Sequence, residues 1–186
     1  MSVSTQTISR GKTLNAEAIA ASRRRIRYWL VFFIVGLVIS GLTAFPLVWE
    51  VGLLHRYLGE GSTAGSGWPG LAAWISRVYA GLVETDAKYP FLLYGTDWLA
   101  FAHLTIAVAF WGPLKDPVRN VWVIEFGMIA CAMIVPLALL CGPVRGIPFY
   151  WQLIDCSFGV IGILPLWLTR REVKRLEALT VPLPER

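Results

Sequence analysis

Four apolar runs, each close to the ~20 residues that cross a hydrocarbon layer, and a lopsided distribution of positive charge predict an all-α protein. The expected architecture is an integral membrane bundle of four transmembrane helices plus one extracytoplasmic interfacial amphipathic helix. The runs cover 27–49, 91–114, 121–140 and 150–169. They are too long for the apolar core of a signal peptide, and no small-residue cleavage site follows the first in a convincing frame, so that run is expected to be retained. A chain of 186 residues that is 56% hydrophobic and 16% charged has the balance of one bilayer-embedded domain.

A net charge of +5 would suit a nucleic-acid binder, but the placement of the charges argues for a membrane instead. Arg10, Lys12, Arg23, Arg24, Arg25 and Arg27 precede the first run, Lys115 and Arg119 separate the second from the third, and Arg170, Arg171, Lys174, Arg175 and Arg186 follow the fourth. An alternating path puts these 13 of the 17 basic residues on one side, leaving Arg56, Arg77, Lys88 and Arg145 on the other. The positive-inside rule then assigns both termini to the cytoplasm. Tight turns, compact basic flanks and the lack of organelle-targeting signals fit a bacterial inner membrane.

Residues 1–26 are polar and small and read as a flexible basic tail. Within it, 16–27 is suited to extend the first span as a basic helix whose Arg23, Arg24, Arg25 and Arg27 meet anionic lipid headgroups. The outer segment 50–90 is long enough to hold structure of its own. Its first part, 50–60, reads as a helical extension with His55 and Arg56, and 61–67 as a Gly/Ser linker without packing side chains. Over 69–83 the residues Leu71, Trp74, Ile75, Val78, Tyr79 and Leu82 recur at the spacing of one helical stripe, opposite Ala72, Ala73, Ser76, Arg77 and Ala80. That helix lies either in the membrane interface or against the outer end of the bundle. Short proline-bearing connections at 112–120 and 141–148 make the second, third and fourth spans antiparallel neighbours. Trp49, Trp98, Trp111, Trp122, Trp151 and Trp167 fall near span ends, as interfacial belts require. The last residues, 170–186, read as a basic cytoplasmic tail.

Ionisable groups inside spans are costly and each asks for a partner. Asp97 lies in the outer part of the second span, His103 near its middle, Glu125 one turn into the third, and Asp155 in the outer part of the fourth. Thr96, Ala100, His103 and Ala107 share one stripe of small residues; Gln152, Asp155, Gly159, Gly162 and Leu166 share another, and Gly36, Ser40 and Thr43 a third. Asp155 and Gln152 are expected to face a pocket, with Arg145 able to pair with Asp155, while Asp97 is within reach of Arg145 or Arg77. Glu125 is expected to pair with Lys115 or Arg119. Each acid is either a structural ion pair or part of a ligand site, and His103 is a packing residue, a ligand or a proton relay. Haem held by two histidines would need a second ligand at matching depth, and His55 lies outside the first span, so no cofactor is expected. Cys131, Cys141 and Cys156 have no metal or redox spacing and read as small apolar packers.

No nucleophile elbow, HExxH, phosphate-cradling loop or paired CxxC occurs. Two features stand out in 97–167: His103 within Trp98-Leu99-Ala100-Phe101-Ala102-His103-Leu104, and Glu125 early in the next span followed by Pro136-Leu137-Ala138. Pro148-Phe149-Tyr150-Trp151 then opens a span ending Ile163-Leu164-Pro165-Leu166. In these points the stretch faintly resembles the emopamil-binding (EXPERA) family, which includes sterol isomerases and sterol-ligand binders. The resemblance implies a proton-donating and proton-accepting pair, His103 and Glu125, beside an intramembrane sterol-like ligand. The first expectation from the residues themselves is a non-enzymatic accessory or assembly subunit or a lipid-binding module, with a membrane-protein partner or a second copy of itself. The competing one is an intramembrane enzyme or ligand-binding protein acting on an apolar molecule through His103 with Glu125 or Asp155.

Overall fold

The structure, a computed structural model, describes the backbone of residues 2–180 and the side chains of 13–180. The expected C-terminal stretch 181–186, with Arg186, and the side chains of Arg10 and Lys12 lie outside the described residues. In chain order the helices are α1 (Ser2–Ala44), α2 (Leu47–Leu58), α3 (Pro69–Lys88), α4 (Tyr94–Ala109), α5 (Trp111–Lys115), α6 (Val121–Val144) and α7 (Phe149–Thr180), with single 3-10 turns at Gly65–Gly67 and Pro90–Leu92. Among the described residues there is no strand, so the all-α class holds. Four segments are long and apolar enough to cross a membrane: Thr13–Ala44, Pro90–Lys115, Val121–Val144 and Phe149–Thr180.

Several boundaries differ from the sequence reading, each for a local reason. The stretch read as a flexible tail is helical from Ser2 onward. Its Ala-rich part propagates from an already nucleated span, and Ser22, Ile26 and Leu30, one turn apart, are buried. The first span ends at Ala44 rather than 49, because Pro46 lacks an N–H and restricts Phe45 before it. The second span is broken after Ala109: the ring of Pro113 conflicts with a helical carbonyl four residues earlier, and the chain restarts as the short α5. The third span runs to Val144 and ends in a Schellman turn, in which Ile147 N–H donates to the Gly142 carbonyl (3.0 Å) and Gly146 N–H to Pro143 (3.1 Å). Gly146 supplies the positive φ of 67° that this turn needs. The fourth helix continues past 169 to Thr180, since Val173 and Leu176 prolong the buried stripe of Leu166 and Thr169 at heptad spacing.

The described contacts divide into two compact units, Met1–Val35 with Ala109–Arg186, and Gly36–Val108. In the first, α6 and α7 pack antiparallel through glycines. A Cβ on Gly159 would meet the Cys131 carbonyl at 2.5 Å, one on Gly127 the Phe110 and Leu166 side chains at 2.7 and 2.8 Å, and one on Gly162 the Cys131 sulfur at 2.8 Å. The small residues expected on the α7 stripe are therefore contact residues. Helix α1 lies along α7, with Phe33 near Gly162 and the Arg25 guanidinium bonded to Glu172 at 3.2 Å. Phe33 also packs on the buried ring of Phe110, at 4.8 Å between centroids.

In the second unit, the end of α1 meets α4. The expected stripe of Gly36, Ser40 and Thr43 is corrected: all three are exposed, and Gly41 makes the contact. A Cβ there would stand 3.0 Å from the Ala100 carbonyl and 3.2 Å from His103 Cβ. The phase error is small in sequence, but one residue turns a helix by about 100°. Helices α2 and α3 form an antiparallel hairpin in which Tyr79 packs on Gly52 and stacks on His55 (4.7 Å, 19° between planes). Ala72, assigned by spacing to the polar face of α3, is buried beside Ile75. The region read as a featureless linker is a hydrogen-bonded turn: Ser62 Oγ donates to the Gly59 carbonyl (2.8 Å) and accepts from Gly65 N–H (2.9 Å). It is tied to α3 by Glu60 N–H donating to Ser76 Oγ at 2.9 Å.

Gly159→Ala is expected to destabilise the protein by about 1–3 kcal/mol through overpacking against α6. Gly36→Ala, with nothing within 4 Å of the new methyl, is expected to be neutral or slightly stabilising. Thermal unfolding of the two variants in one detergent checks the contrast.

Candidate functional site

Helical geometry places Arg23 and Arg24 each beside Arg27 on α1, because residues three and four apart share a face. The neighbouring stripe of Ser22, Ile26 and Leu30 is buried, which fixes the rotation of the helix and turns the three guanidinium groups outward. The turn after α5 completes the arrangement. Arg23, Arg24, Arg27 and Lys115 line a cleft of about 380 Å³ floored by Ile26, Leu114 and Pro117. No carboxylate lines it, and none of the four cations makes an ion pair among the described residues. The Lys115 ammonium sits 5.8 Å from the centre of the Trp111 ring. The turn is held by Asn120, whose side-chain amide donates to the carbonyls of Gly112 (3.3 Å) and Asp116 (2.9 Å).

Directly along α1 from this cleft runs a groove of about 480 Å³ lined by Arg24, Arg27, Tyr28, Val31, Phe32 and Val35. Arg24 and Arg27 border both spaces. A cationic cleft continuous with an apolar groove matches the two ends of an anionic amphiphile: the guanidinium groups suit a phosphate bidentately, and the groove suits an alkyl chain. Arg25 does not share this site. It is bonded to Glu172 and lines a separate cleft with Trp29, Arg171 and Arg175, so of the four arginines grouped by sequence only Arg23, Arg24 and Arg27 line the first cleft.

The polar residues singled out inside the spans are mostly engaged elsewhere. Glu125 accepts a 2.7 Å hydrogen bond from Arg170 Nε on α7, not from Lys115 or Arg119. Both partners are about two-fifths exposed or less. The pairing was missed because α7 continues beyond its expected end and carries Arg170 back along α6. Gln152 packs into the turn between α6 and α7. It is buried, donates through Nε2 to the Ile147 carbonyl at 2.8 Å, and fills the space above Gly142. Arg145 is exposed and has no ion pair among the described residues, and neither has half-buried Asp155, so their expected pairing does not form. The three cysteines are free, with Cys131 buried and Cys141 exposed. No group of His, Cys, Asp and Glu able to hold a metal occurs among the described residues.

In the second unit His103 sits on the predicted small-residue stripe with Ala100 and Ala107, both buried. Its Nδ1 is 2.8 Å from the Leu99 carbonyl one turn back. A carbonyl can only accept, so Nδ1 is the donor in this contact. Asp97 lines an aromatic cleft with Phe45, Tyr94, Trp98 and Phe101. It forms no ion pair among the described residues, and the expected pairing to Arg77 or Arg145 does not occur. Sequence reasoning missed Lys115 as a site residue and the aromatic lining of Asp97. The first was signalled by the charge tally, which put Lys115 on the same side as the arginines. The second was signalled by the spacing of Tyr94, Trp98 and Phe101 around Asp97.

Removing the two engaged polar groups should have unequal effects. Gln152→Ala strips the Ile147 carbonyl of its donor and opens space over Gly142, an expected loss of about 1–3 kcal/mol. Glu125→Gln weakens a half-exposed pair and is expected to lose less than about 1 kcal/mol; differential scanning of both variants tests the order. No family model, curated protein or solved structure matches this chain.

Proposed function

We propose that this protein is a non-enzymatic lipid-binding or accessory module of a membrane, a bacterial inner membrane by its compact basic flanks, with both termini cytoplasmic by the positive-inside rule. Its lipid is anionic. The observation that carries this reading is the cleft of Arg23, Arg24, Arg27 and Lys115, which holds four cations and no carboxylate and opens onto the apolar groove of α1. A phosphate in the cleft relieves the mutual repulsion of the cations, and one acyl chain runs along Tyr28, Val31, Phe32 and Val35. The exposed basic residues Arg171 and Arg175 add to the attraction for an anionic leaflet at about 1 kcal/mol per cation near the surface.

The test is lipid retention after gentle extraction. Wild-type protein exchanged into mixed phosphatidylglycerol and phosphatidylcholine is expected to keep phosphatidylglycerol selectively by native mass spectrometry. The triple variant Arg24→Ala, Arg27→Ala, Lys115→Ala is expected to lose that selectivity, with affinity falling on the order of a hundredfold for three cations. Arg25→Ala, whose partner is Glu172, is expected to leave selectivity unchanged. Equal retention of both lipids by the wild type, or undiminished selectivity in the triple variant, overturns the proposal.

A further inference from the structure

The second unit has the opposite electrostatic character. Between Gly36 and Val108 there are five carboxylates, Glu50, Glu60, Glu84, Asp86 and Asp97, against the three cations Arg56, Arg77 and Lys88. Lys88 is occupied by Glu84 at 2.6 Å. Asp97 falls within an apolar segment able to cross a membrane, where a carboxylate is expensive without a cation beside it. Its place in the first turn of α4 favours a negative charge through the helix dipole but supplies no cation.

The surroundings of Asp97 have a specific chemistry. Tyr94, Trp98 and Phe101, three and four residues apart, stand on one face of α4, and their rings meet edge to face in succession, at 5.9 Å for Tyr94 and Trp98 and 5.8 Å for Trp98 and Phe101. Together with Phe45 they line an open cleft of about 280 Å³ whose single charged lining residue is Asp97. It adjoins a wider cleft of about 640 Å³ that Phe45, Tyr94 and Asp97 also line and to which Asp86 adds a second carboxylate. Aromatic faces attract cations through their quadrupoles, and they tolerate the alkyl groups of an organic ammonium where a hydrated metal ion would be excluded.

We infer that the cleft formed by Phe45, Tyr94, Asp97, Trp98 and Phe101 binds an organic ammonium group, with Asp97 as counter-ion and the rings as cation–π walls. The ammonium is either the amine headgroup of a phospholipid or a soluble alkylammonium. The inference does not rest on the anionic-lipid site, which uses other residues in the other unit.

Two arms distinguish the sources. In the first, protein is reconstituted in vesicles of phosphatidylethanolamine with phosphatidylglycerol and retained phosphatidylethanolamine is counted by native mass spectrometry. In the second, protein in phosphatidylglycerol alone is titrated with tetramethylammonium chloride and with ethanolamine, followed by ligand-observed NMR. Saturable binding in at least one arm is expected, falling about tenfold or more in Asp97→Asn, a fold-change within the range of a lost counter-ion. Loss confined to the first arm assigns the lipid amine, and loss confined to the second assigns a soluble amine. Tyr94→Leu with Trp98→Leu removes the cation–π walls while keeping the carboxylate, and is expected to weaken binding even where Asp97→Asn does not fold. No binding of any probe by the wild type, or binding unchanged in both variants, overturns the inference.

Discussion

Between two helices surrounded by lipid there is no hydrophobic gain in leaving the surroundings for one another, so packing at close range has to hold them. Here that constraint falls on a few glycines. Gly127, Gly159 and Gly162 let α6 and α7 approach until the space a methyl would take is filled by the Cys131 carbonyl and sulfur and by the side chains of Phe110 and Leu166. The pairs Gly142 with Gln152, Gly127 with Leu166 and Glu125 with Arg170 keep one antiparallel register along both helices. Everything in the first unit depends on that register. It places Phe110 where Phe33 can cover it, and it carries α7 to where Glu172 meets Arg25. The rotation of α1 follows, and with it the outward presentation of Arg23, Arg24 and Arg27.

Charge is distributed with comparable economy. Three acids are neutralised by cations, Glu125 by Arg170, Glu172 by Arg25, and Glu84 by Lys88. Two groups of charge without an ion pair among the described residues, opposite in sign, stand beside apolar surface. One is the four-cation cleft of the first unit and the other the aromatic cleft around Asp97 in the second. Unpaired charge beside apolar surface is costly unless something compensates it, which is why these clefts, and not the buried polar side chains, carry the functional reading.

Much of the fold was legible in the residues because hydropathy and proline act locally. The four apolar segments, the antiparallel turn before Phe149, and the stripes through Ala100 and Ala107 and through Gly159 and Gly162 all follow from length, period and composition. The errors cluster where a distant contact overrode a local signal. Residues 1–22 looked too poor in large apolar side chains to pack, yet Ser22, Ile26 and Leu30, one turn apart, are buried, on a helix that the reading of 16–27 as an extension of the first span had allowed for. Charge after Thr169 suggested a tail, but Val173 and Leu176 held the helix to its neighbour. Spacing put Gly36 on the contact stripe of α1, and only the partner surface on α4 shows that Gly41 makes the contact.

The candidate sites show the same division. The sequence alone determined the all-α class and the four segments long and apolar enough to cross a membrane, because each depends on residue type and near-neighbour spacing. It also marked Asp97, His103, Glu125 and Asp155 as unusual, since a charged or polar group in an apolar run is conspicuous wherever it points. Tertiary structure decided which of them are satisfied: Glu125 by Arg170, His103 by the Leu99 carbonyl, and Asp97 and Asp155 by no cation among the described residues. It also joined Lys115 to arginines about 90 residues earlier in the chain. Partnership depends on which helix faces which and at what rotation, and those are set by the fit of small residues between helices, a property of two surfaces together that neither segment carries by itself.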